Sequence, residues 1–247
     1  MSDGLTISEI SMQNDLLRLQ TISHNLANVT TAGYKQQIAG TTGFDESMNI
    51  ATMENAGIQQ GVSIPVTIPM MSQTTDLKSG TLKFTGNPLD VALSDGVFLT
   101  VQTKKGEAYT RQGDLHIDAQ GRLVTAKGMA VMGTGGDIQM TSDKPVINQQ
   151  GQILENAISV AELKLVKIPA EAEVVSIGDG LYRASLPVTT ISNESVIRQG
   201  YLEGSNVDMT QQMVKMIELT RHFESTQRVI RGYDEMLDKA INVIGEF

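Results

Sequence analysis

The sequence predicts an α+β protein in which paired, coiled-coil-like helices from the N- and C-terminal ends, discontinuous in sequence, flank an inserted all-β domain. Three observations support this class. Apolar residues recur every seven positions near the C-terminal end, and they do so again near the N-terminal end. Between these regions the apolar period falls to two, and glycine-containing turns follow at short spacing.

The C-terminal helix is predicted from Asn206 to Phe247 by two lines of residues spaced by sevens. The first line is Met209, Met216, Phe223, Ile230, Leu237 and Ile244, and the second is Gln212, Leu219, Thr226, Tyr233, Ala240 and Phe247. No proline interrupts the pattern, and Gly232 costs only about 1 kcal/mol relative to alanine. A helix roughly 57 Å long follows from the rise per residue, so it needs a partner helix beside it.

The N-terminal helix supplies that predicted partner. Its apolar line is Leu5, Met12, Leu19 and Leu26, and the neighbouring line is Ser8, Asp15, Ile22 and Val29. Ser2 or Asp3 is suited to cap its start, and Gly33 to stop it. The polar members Ser8 and Asp15 weaken the second line. The alternative is a pair of amphipathic helices that cover one globular core.

These patterns divide the chain into three predicted parts. Residues 1–35 and 206–247 form the helical domain, residues 36–74 an extended connection with an edge strand, and residues 75–205 the all-β domain. The edge strand is predicted over Val62–Met70, where prolines on the off-face confine it to a sheet edge. Further strands are predicted at 81–84, 90–93, 97–103, 107–112, 114–118, 122–126, 129–133, 146–148, 152–155, 159–168, 173–177, 181–185 and 187–191.

The composition excludes several classes of protein. The 247-residue chain has no cysteine, which rules out disulfides and thiolate chemistry, and its net charge of −9 disfavours nucleic-acid partners. No apolar run approaches the ~20 residues that span a bilayer, so no membrane insertion is expected. The segment MSDGLTISEI lacks the basic and apolar regions of a secretory signal, so we expect no cleavable signal peptide.

No group of side chains predicts a catalytic, metal or cofactor site. His24, His116 and His222 lie in three different elements without metal-ligand spacing. The glycine run Gly133–Gly136 is followed by Asp137 and a strand-like stretch at 138–140, which indicates a hairpin loop and not a phosphate cradle. We therefore expect no catalytic residue, no metal and no cofactor.

Four stretches resemble the bacterial flagellar rod and hook (axial) proteins. They are NLANVTTAGYK, TGNPLDVALSDGVFLTVQ, AYTRQGDLHIDAQGRLVTAKGMAVMG and the C-terminal block that begins YLEGSNVDMTQQ. The residues that carry the family motif are Asn25, Leu26, Ala27, Asn28, Gly33, Tyr34, Leu202, Glu203, Ser205, Asn206 and Val207. The stretch Pro88–Ala92 looks more like the proximal than the distal rod members.

The resemblance implies a structural subunit of the flagellar basal-body rod that spans the periplasm. It implies export through the flagellar type III apparatus and assembly with copies of itself, homologous rod subunits and neighbouring rod, ring or hook-basal-body proteins. The side chains expected to pack helices in the assembly are Leu5, Met12, Leu19, Ile22, Leu26, Met209, Met216, Leu219, Phe223, Ile230, Tyr233, Leu237 and Ile244. The alternatives are a distal rod or hook-type axial protein, or a ligand-binding β domain or enzyme with a coiled-coil oligomerisation handle.

Overall fold

A computed structural model describes residues 2–41 and 71–244, except Asp143, Ala157, Ala170, Glu171, Asn193 and Ser195. The chain divides into two compact units. The helical unit holds residues 1–26, 38–73 and 209–247, and the β-rich unit holds residues 27–37 and 74–208. The α+β class is therefore confirmed. The predicted domain boundaries stay a prediction, although residues 27–37, assigned there to the helical domain and the connection, lie in the β-rich unit.

Two helices contain most of the described residues of the helical unit. Helix α1 is Ser2–Ala27 and helix α2 is Met209–Ile244, 36 residues without a proline. Helix α1 ends several residues before the predicted stop, and Gly33 lies in the turn that follows with φ +66°. Glycine adopts this left-handed conformation without the steric cost that a side chain would bring. None of the described helices is long and apolar enough to span a membrane.

Nineteen short strands occupy the described residues between the helices. They are β1 (Gln37–Thr41), β2 (Met71–Thr75), β3 (Leu82–Phe84), β4 (Val91–Leu93), β5 (Val97–Thr103), β6 (Gly106–Thr110), β7 (Leu115–Ile117), β8 (Leu123–Thr125), β9 (Ala130–Gly133), β10 (Gly136–Asp137), β11 (Val146–Ile147), β12 (Gln152–Glu155), β13 (Ile158–Glu162), β14 (Leu165–Lys167), β15 (Val174–Gly178), β16 (Leu181–Ala184), β17 (Thr189–Ile191), β18 (Ile197–Gln199) and β19 (Tyr201–Glu203). Glycine turns with positive φ connect several of them, as at Gly96 and Gly106.

The largest sheet has ten strands and is centred on β5 and β6. Its main path is β15-β16-β6-β5-β9-β8-β7; β14 pairs with β5, β17 pairs with β14, and β10 pairs with β9. Strands β11-β12-β13 form a separate three-stranded sheet, and β1-β2, β18-β4 and β19-β3 form two-stranded sheets. The last two pairs join the beginning of the β-rich unit's long segment to its end, in antiparallel register.

The core of the β-rich unit lies around β5. The first five residues of this strand, Val97–Val101, are all buried, because other strands cover it on several sides. Its alternating side chains divide between two apolar clusters, so that Leu99 and Val101 belong to the larger one and Phe98 to the smaller one. The smaller cluster also contains Tyr182, whose ring meets that of Phe98 edge to face at 5.9 Å between centroids.

Several sequence predictions need correction at this level. The strand predicted over 159–168 is two strands, β13 and β14, because the chain leaves the three-stranded sheet and joins β5. The strand-like stretch 138–140 is not a strand, but β9 and β10 pair across Thr134-Gly135, which confirms the hairpin loop. Strands β1 and β2 lie within the predicted connection. The edge strand at 62–70 and residues 42–61 of that connection fall outside the described residues.

Candidate assembly surface and buried ion-pair network

One face of α2 is covered and coincides with the predicted heptad lines. Between Met209 and Met236, the residues that are not exposed are Gln212, Met216, Leu219, Phe223, Thr226, Gln227 and Ile230. All of these except Gln227 belong to the two lines spaced by sevens. The periodicity therefore located the less accessible side of this helix, as an amphipathic pattern should.

The remaining predicted interface residues lie in different environments. In α1, Ile22 is buried, and Met12, Leu19 and Leu26 are half-buried. Met209 and Tyr233 of α2 are exposed. Leu5, Leu237 and Ile244 belong to the helices, but their side chains fall outside what the structure describes. The part that these residues play in assembly stays a prediction.

The helices also present apolar side chains on their exposed faces, which the heptad reading did not use. On α2 these are Met213, Val214, Ile217, Val229 and Met236, and on α1 they are Leu16 and Leu17, each roughly half exposed. Met213 and Ile217 are one helical turn apart and so lie side by side. Apolar groups gathered on a water-facing surface indicate an interaction site.

A direct polar contact links the two helices. The Nδ1 atom of His222 on α2 lies 2.6 Å from Oδ2 of Asp15 on α1. The Asp15 side chain is only 4% exposed, whereas that of His222 is 59% exposed. The sequence reading treated Asp15 as a weak point of the N-terminal seam and gave His222 no partner, because heptad spacing does not report which polar residues of two helices meet.

The β-rich unit contains a buried ion-pair network centred on Glu203. Lys35 Nζ lies 2.7 Å from Glu203 Oε1, and Arg111 Nη2 lies 2.6 Å from Oε2. All three side chains are at most 2% exposed. Charges this deeply buried are tolerated only when they are paired and hydrogen-bonded.

Backbone groups satisfy the remaining hydrogen-bonding capacity of the network. Arg111 donates to the carbonyl oxygens of Ser94, Val97 and Leu93 through its terminal nitrogens. Lys35 Nζ also donates to the carbonyl of Lys78 at 2.7 Å. The amide of Gly80 donates to Glu203 Oε1 at 2.9 Å. The three charged groups thus connect several chain segments that are distant in sequence.

Burial shifts the titration of groups in and around this network. It lowers the pKa of Lys35, the cation Arg111 lowers it further, and the bond to Glu203 opposes both effects. Burial also raises the pKa of Tyr34 to about 12 and raises that of Tyr182. The Tyr182 hydroxyl accepts a hydrogen bond from the Lys35 amide at 3.0 Å.

The network brings together family-motif residues from both ends of the chain. The Gly33 amide donates to the Glu203 carbonyl at 2.8 Å, and the Gln36 amide donates to Asn206 Oδ1 at 2.7 Å. Asn206 Nδ2 in turn donates to the carbonyls of Asp76 and Lys78. A Cβ atom at Gly33 would lie 2.2 Å from the Arg111 carbonyl oxygen, so only glycine fits there.

Other motif residues are placed less tightly. Asn25, Tyr34 and Val207 are buried, Leu26, Asn28, Leu202 and Ser205 are half-buried, and Ala27 is exposed. Sequence reasoning missed Lys35 and Arg111, although Lys35 directly follows the NLANVTTAGY stretch and Arg111 lies within AYTRQGD. The available indication was a charged residue two positions from a glycine, Gly33 for Lys35 and Gly113 for Arg111.

A cleft of about 440 Å³ lies beside the network, lined by Ser79, Leu82, Ala92, Leu93, Ser94, Asp95, Arg198 and Glu203. Both of its carboxylates are engaged. Glu203 binds the two buried cations, and Asp95 accepts a hydrogen bond from the Ser79 hydroxyl. Within the described part of the chain, no three or more acidic or histidine side chains are grouped as metal ligands would be.

Two segments match known protein families and define the class. Residues 198–243, which include β19 and most of α2, match the family described as flagellar basal body rod FlgEFG protein C-terminal. Residues 94–180, most of the ten-stranded sheet, match the flagellar hook protein FlgE/F/G D1 domain. Both the helical end and the β-rich unit are thus of the type found in the axial proteins of the bacterial flagellum.

Relatives that cover nearly the whole chain narrow this class. The flagellar basal-body rod protein FlgF of Escherichia coli is 32% identical over 87% of this chain and 88% of its own length. FlgF of Caulobacter vibrioides is 31% identical over 96% of both chains. FlgG of Buchnera aphidicola from Schizaphis graminum is 28% identical over 97% of this chain and 98% of its own length. The chain belongs to the family of flagellar basal-body rod proteins.

Proposed function

We propose that this chain is a structural subunit of the flagellar basal-body rod and that it polymerises through α1 and α2. The observation that carries the proposal is the distribution of apolar side chains on α2. One face of α2 is covered, and Met213, Val214, Ile217, Val229 and Met236 remain accessible on its other faces. A helix that is apolar outside its covered stripe needs further neighbours, and adjacent subunits in a tubular array would supply them.

Within the rod, we assign the chain to the proximal segment, as an FlgF-type subunit. The FlgF relatives of Escherichia coli and Caulobacter vibrioides are 32% and 31% identical, whereas FlgF of Rhizobium meliloti and FlgG of Buchnera aphidicola are each 28% identical. The two highest of these values support the proximal assignment over a distal rod or hook-type protein. The subunit would reach its site through the flagellar type III export apparatus, and it would contact homologous rod subunits and adjoining basal-body proteins.

The proposal assigns no catalytic activity to the chain. An enzyme or ligand-binding domain with a helical oligomerisation handle would need accessible polar groups that converge in a pocket. In the cleft beside the network, Glu203 is neutralised by two cations and Asp95 is bound by Ser79. The polar groups there hold the fold together, which supports a structural role.

Substitution of Ile217 tests assembly through the accessible face of α2. Ile217 is 55% exposed, so Ile217→Asp should change the stability of the free subunit by less than about 0.5 kcal/mol. The same carboxylate buried against a neighbouring subunit would lack a partner and should prevent incorporation. The measurement is the amount of tagged subunit in purified basal bodies, together with swimming in a strain that lacks its own copy.

The matched control is Glu218→Gln, a change at the adjacent exposed position. It should incorporate and restore swimming normally. Incorporation of Ile217→Asp at the control level would contradict the proposal that this face of α2 carries assembly.

A further inference from the structure

We infer that Asp15 and His222 form a selective contact through which α1 recognises an α2 helix that carries a cation at this position. Asp15 lies on the second heptad line of α1, together with Ser8 and Ile22. A charged residue inside a helix-packing line weakens the packing but restricts which helix, and which register, can lie against it.

The burial of Asp15 makes the contact selective. Its side chain is 4% exposed, so an unpaired carboxylate there would lose its hydration without compensation. His222 Nδ1 lies 2.6 Å from Oδ2, which is within hydrogen-bond distance. The imidazole can donate through Nδ1 as the neutral Nδ1–H tautomer or as the imidazolium, and a lysine or arginine side chain can donate to the same oxygen.

The accessibility of His222 explains why α2 alone does not require the contact. The imidazole is 59% exposed, so water can hydrate it when Asp15 is absent. When α2 packs without a donor at this position, the cost therefore falls mainly on Asp15, which stays buried. The contact therefore restricts which α2 helix can pack against α1.

The sequence around His222 shows which alternatives this contact rejects. Helices displaced by half a heptad would bring Leu219 or Thr226 near the Asp15 position, and a displacement of one heptad would bring Val229 or Lys215. Of these, Lys215 is the one that could neutralise a carboxylate. The contact thus excludes most displaced pairings, and Lys215 is the residue that a register test must also remove.

The inference rests on the proposed function only for helices of neighbouring subunits, because the observed contact lies within one chain. In a rod built from homologous subunits, α1 would accept an α2 helix with histidine, lysine or arginine at this position. It would disfavour an α2 helix with a neutral side chain there. A single polar pair inside a helix interface is a known means of choosing partners.

The first experiment is a double-mutant cycle read by amide exchange in α1 of the full-length chain. Asp15→Ala and His222→Gln should each speed exchange in residues 8–27 by about tenfold or more, and the double variant should be no faster than Asp15→Ala alone. His222→Lys should retain protection within about threefold of the native chain, because it keeps the charge. Lys215→Gln in each background removes the alternative cation, and Arg221→Gln is the exposed neighbouring control.

Additive effects of Asp15→Ala and His222→Gln would overturn the inference, as would equal loss of protection in His222→Gln and His222→Lys. Mixed assembly tests partner choice separately: His222→Lys subunits should co-assemble with native subunits at least tenfold better than His222→Gln subunits. If the cycle shows coupling but native chains fail to assemble at all, the proposed rod function fails and the contact stands. If native chains assemble but the cycle shows no coupling, the contact has no selective role.

Discussion

The β-rich unit and the helical unit differ in where their apolar and charged side chains lie. In the β-rich unit, apolar side chains gather in clusters around β5, and buried charges meet at Glu203. In the helical unit, α2 keeps large apolar residues such as Ile217 and Met236 half exposed along its described length. The first unit encloses an apolar core, although it also exposes apolar residues such as Phe84 and Ile158. The second unit leaves apolar groups along a helix, and the proposed rod neighbours would be their partners.

The ion pairs of the two units also differ in how far their side chains are buried. Glu203 binds two buried cations and accepts a hydrogen bond from the Gly80 amide, all within the β-rich unit. The Asp15–His222 pair has one deeply buried member and one exposed member. A network closed on itself stabilises a fold, whereas a half-exposed pair between helices is suited to select what lies alongside.

The largest expected effect comes from removing the anion of the buried network. Glu203→Ala should destabilise the β-rich unit by about 3–5 kcal/mol, because it leaves Lys35 and Arg111 buried without a counterion. Urea unfolding followed by far-ultraviolet circular dichroism measures the loss. Glu107→Ala, which removes the 44% exposed partner of Lys164, should cost less than about 1 kcal/mol. Similar losses of unfolding free energy in the two variants would show that the buried network stabilises the unit no more than an exposed ion pair does.

A backbone test follows at Gly33. Gly33→Ala places a Cβ 2.2 Å from the Arg111 carbonyl oxygen at a φ of +66°, so it should cost about 3 kcal/mol or more. Gly96→Ala has a similar φ of +73° but no atom within 4 Å, so it should cost only the left-handed strain of about 1–2 kcal/mol. Thermal melts of both variants separate steric overlap from strain, and equal shifts would refute the close approach.

A smaller effect is expected on the free energy of unfolding at alkaline pH. Burial raises the pKa of Tyr34 to about 12, above the value near 10 of an unfolded tyrosine. The stabilisation is therefore fully present below pH 10 and is lost as the pH rises through about 12. Tyr34→Phe should flatten the fall in unfolding free energy over that window, which denaturant titrations at several pH values would detect. An unchanged slope would contradict the burial of the Tyr34 hydroxyl.

The smallest expected effect concerns a polar atom that the β-rich unit leaves unpaired. Asp114 Oδ1 is buried without a hydrogen-bond partner, and burial raises the pKa of this carboxyl. The stabilisation of the folded state that comes with the raised pKa of Asp114 is present at low pH and is lost as the pH rises through the folded pKa. Asp114→Asn should therefore slightly raise the melting temperature at pH 7 and change it little at pH 3.

Asp118→Asn is the matched variant with the opposite expectation. The backbone amide of Arg122 is the main cause of the lowered pKa of Asp118, and that stabilisation is present at neutral pH and lost as the pH falls. Asp118→Asn should therefore lower the melting temperature at pH 7. Shifts of the same sign in both variants would contradict the assignment of Asp114 as an unsatisfied group.

Local patterns in the sequence predicted the elements whose cause is local. The strand predicted at 97–103 is β5 and that at 152–155 is β12, with the same limits. Strand β5 is a largely apolar run between turns at Gly96 and Gly106, and β12 begins directly after the turn at Gly151. The covered face of α2 followed from heptad spacing. Strands β18 and β19 were missed, because each has three residues and takes its order from a distant partner in β4 or β3.

The polar contacts were beyond the reach of the same reasoning. Lys35 and Glu203 are 168 positions apart and Arg111 and Glu203 are 92 apart, so no periodicity connects them. Gly33 was interpreted as a helix stop, but its role is to let the backbone pass close to Arg111. Asp15 and His222 lie on helices that were predicted correctly as elements, yet the identity of facing residues depends on register, which apolar spacing leaves open.

The pairing of β3 with β19 and of β4 with β18 has a consequence for the growing polypeptide. These strands are separated by nearly the whole of the β-rich unit, so a nascent chain can assemble the central hairpins early but cannot close the unit until residues 197–203 have been synthesised. Until Glu203 emerges, Lys35 and Arg111 have no anion to bind and stay hydrated. At about 5–20 residues per second of synthesis, the chain spends several seconds in that open condition before its fold becomes complete.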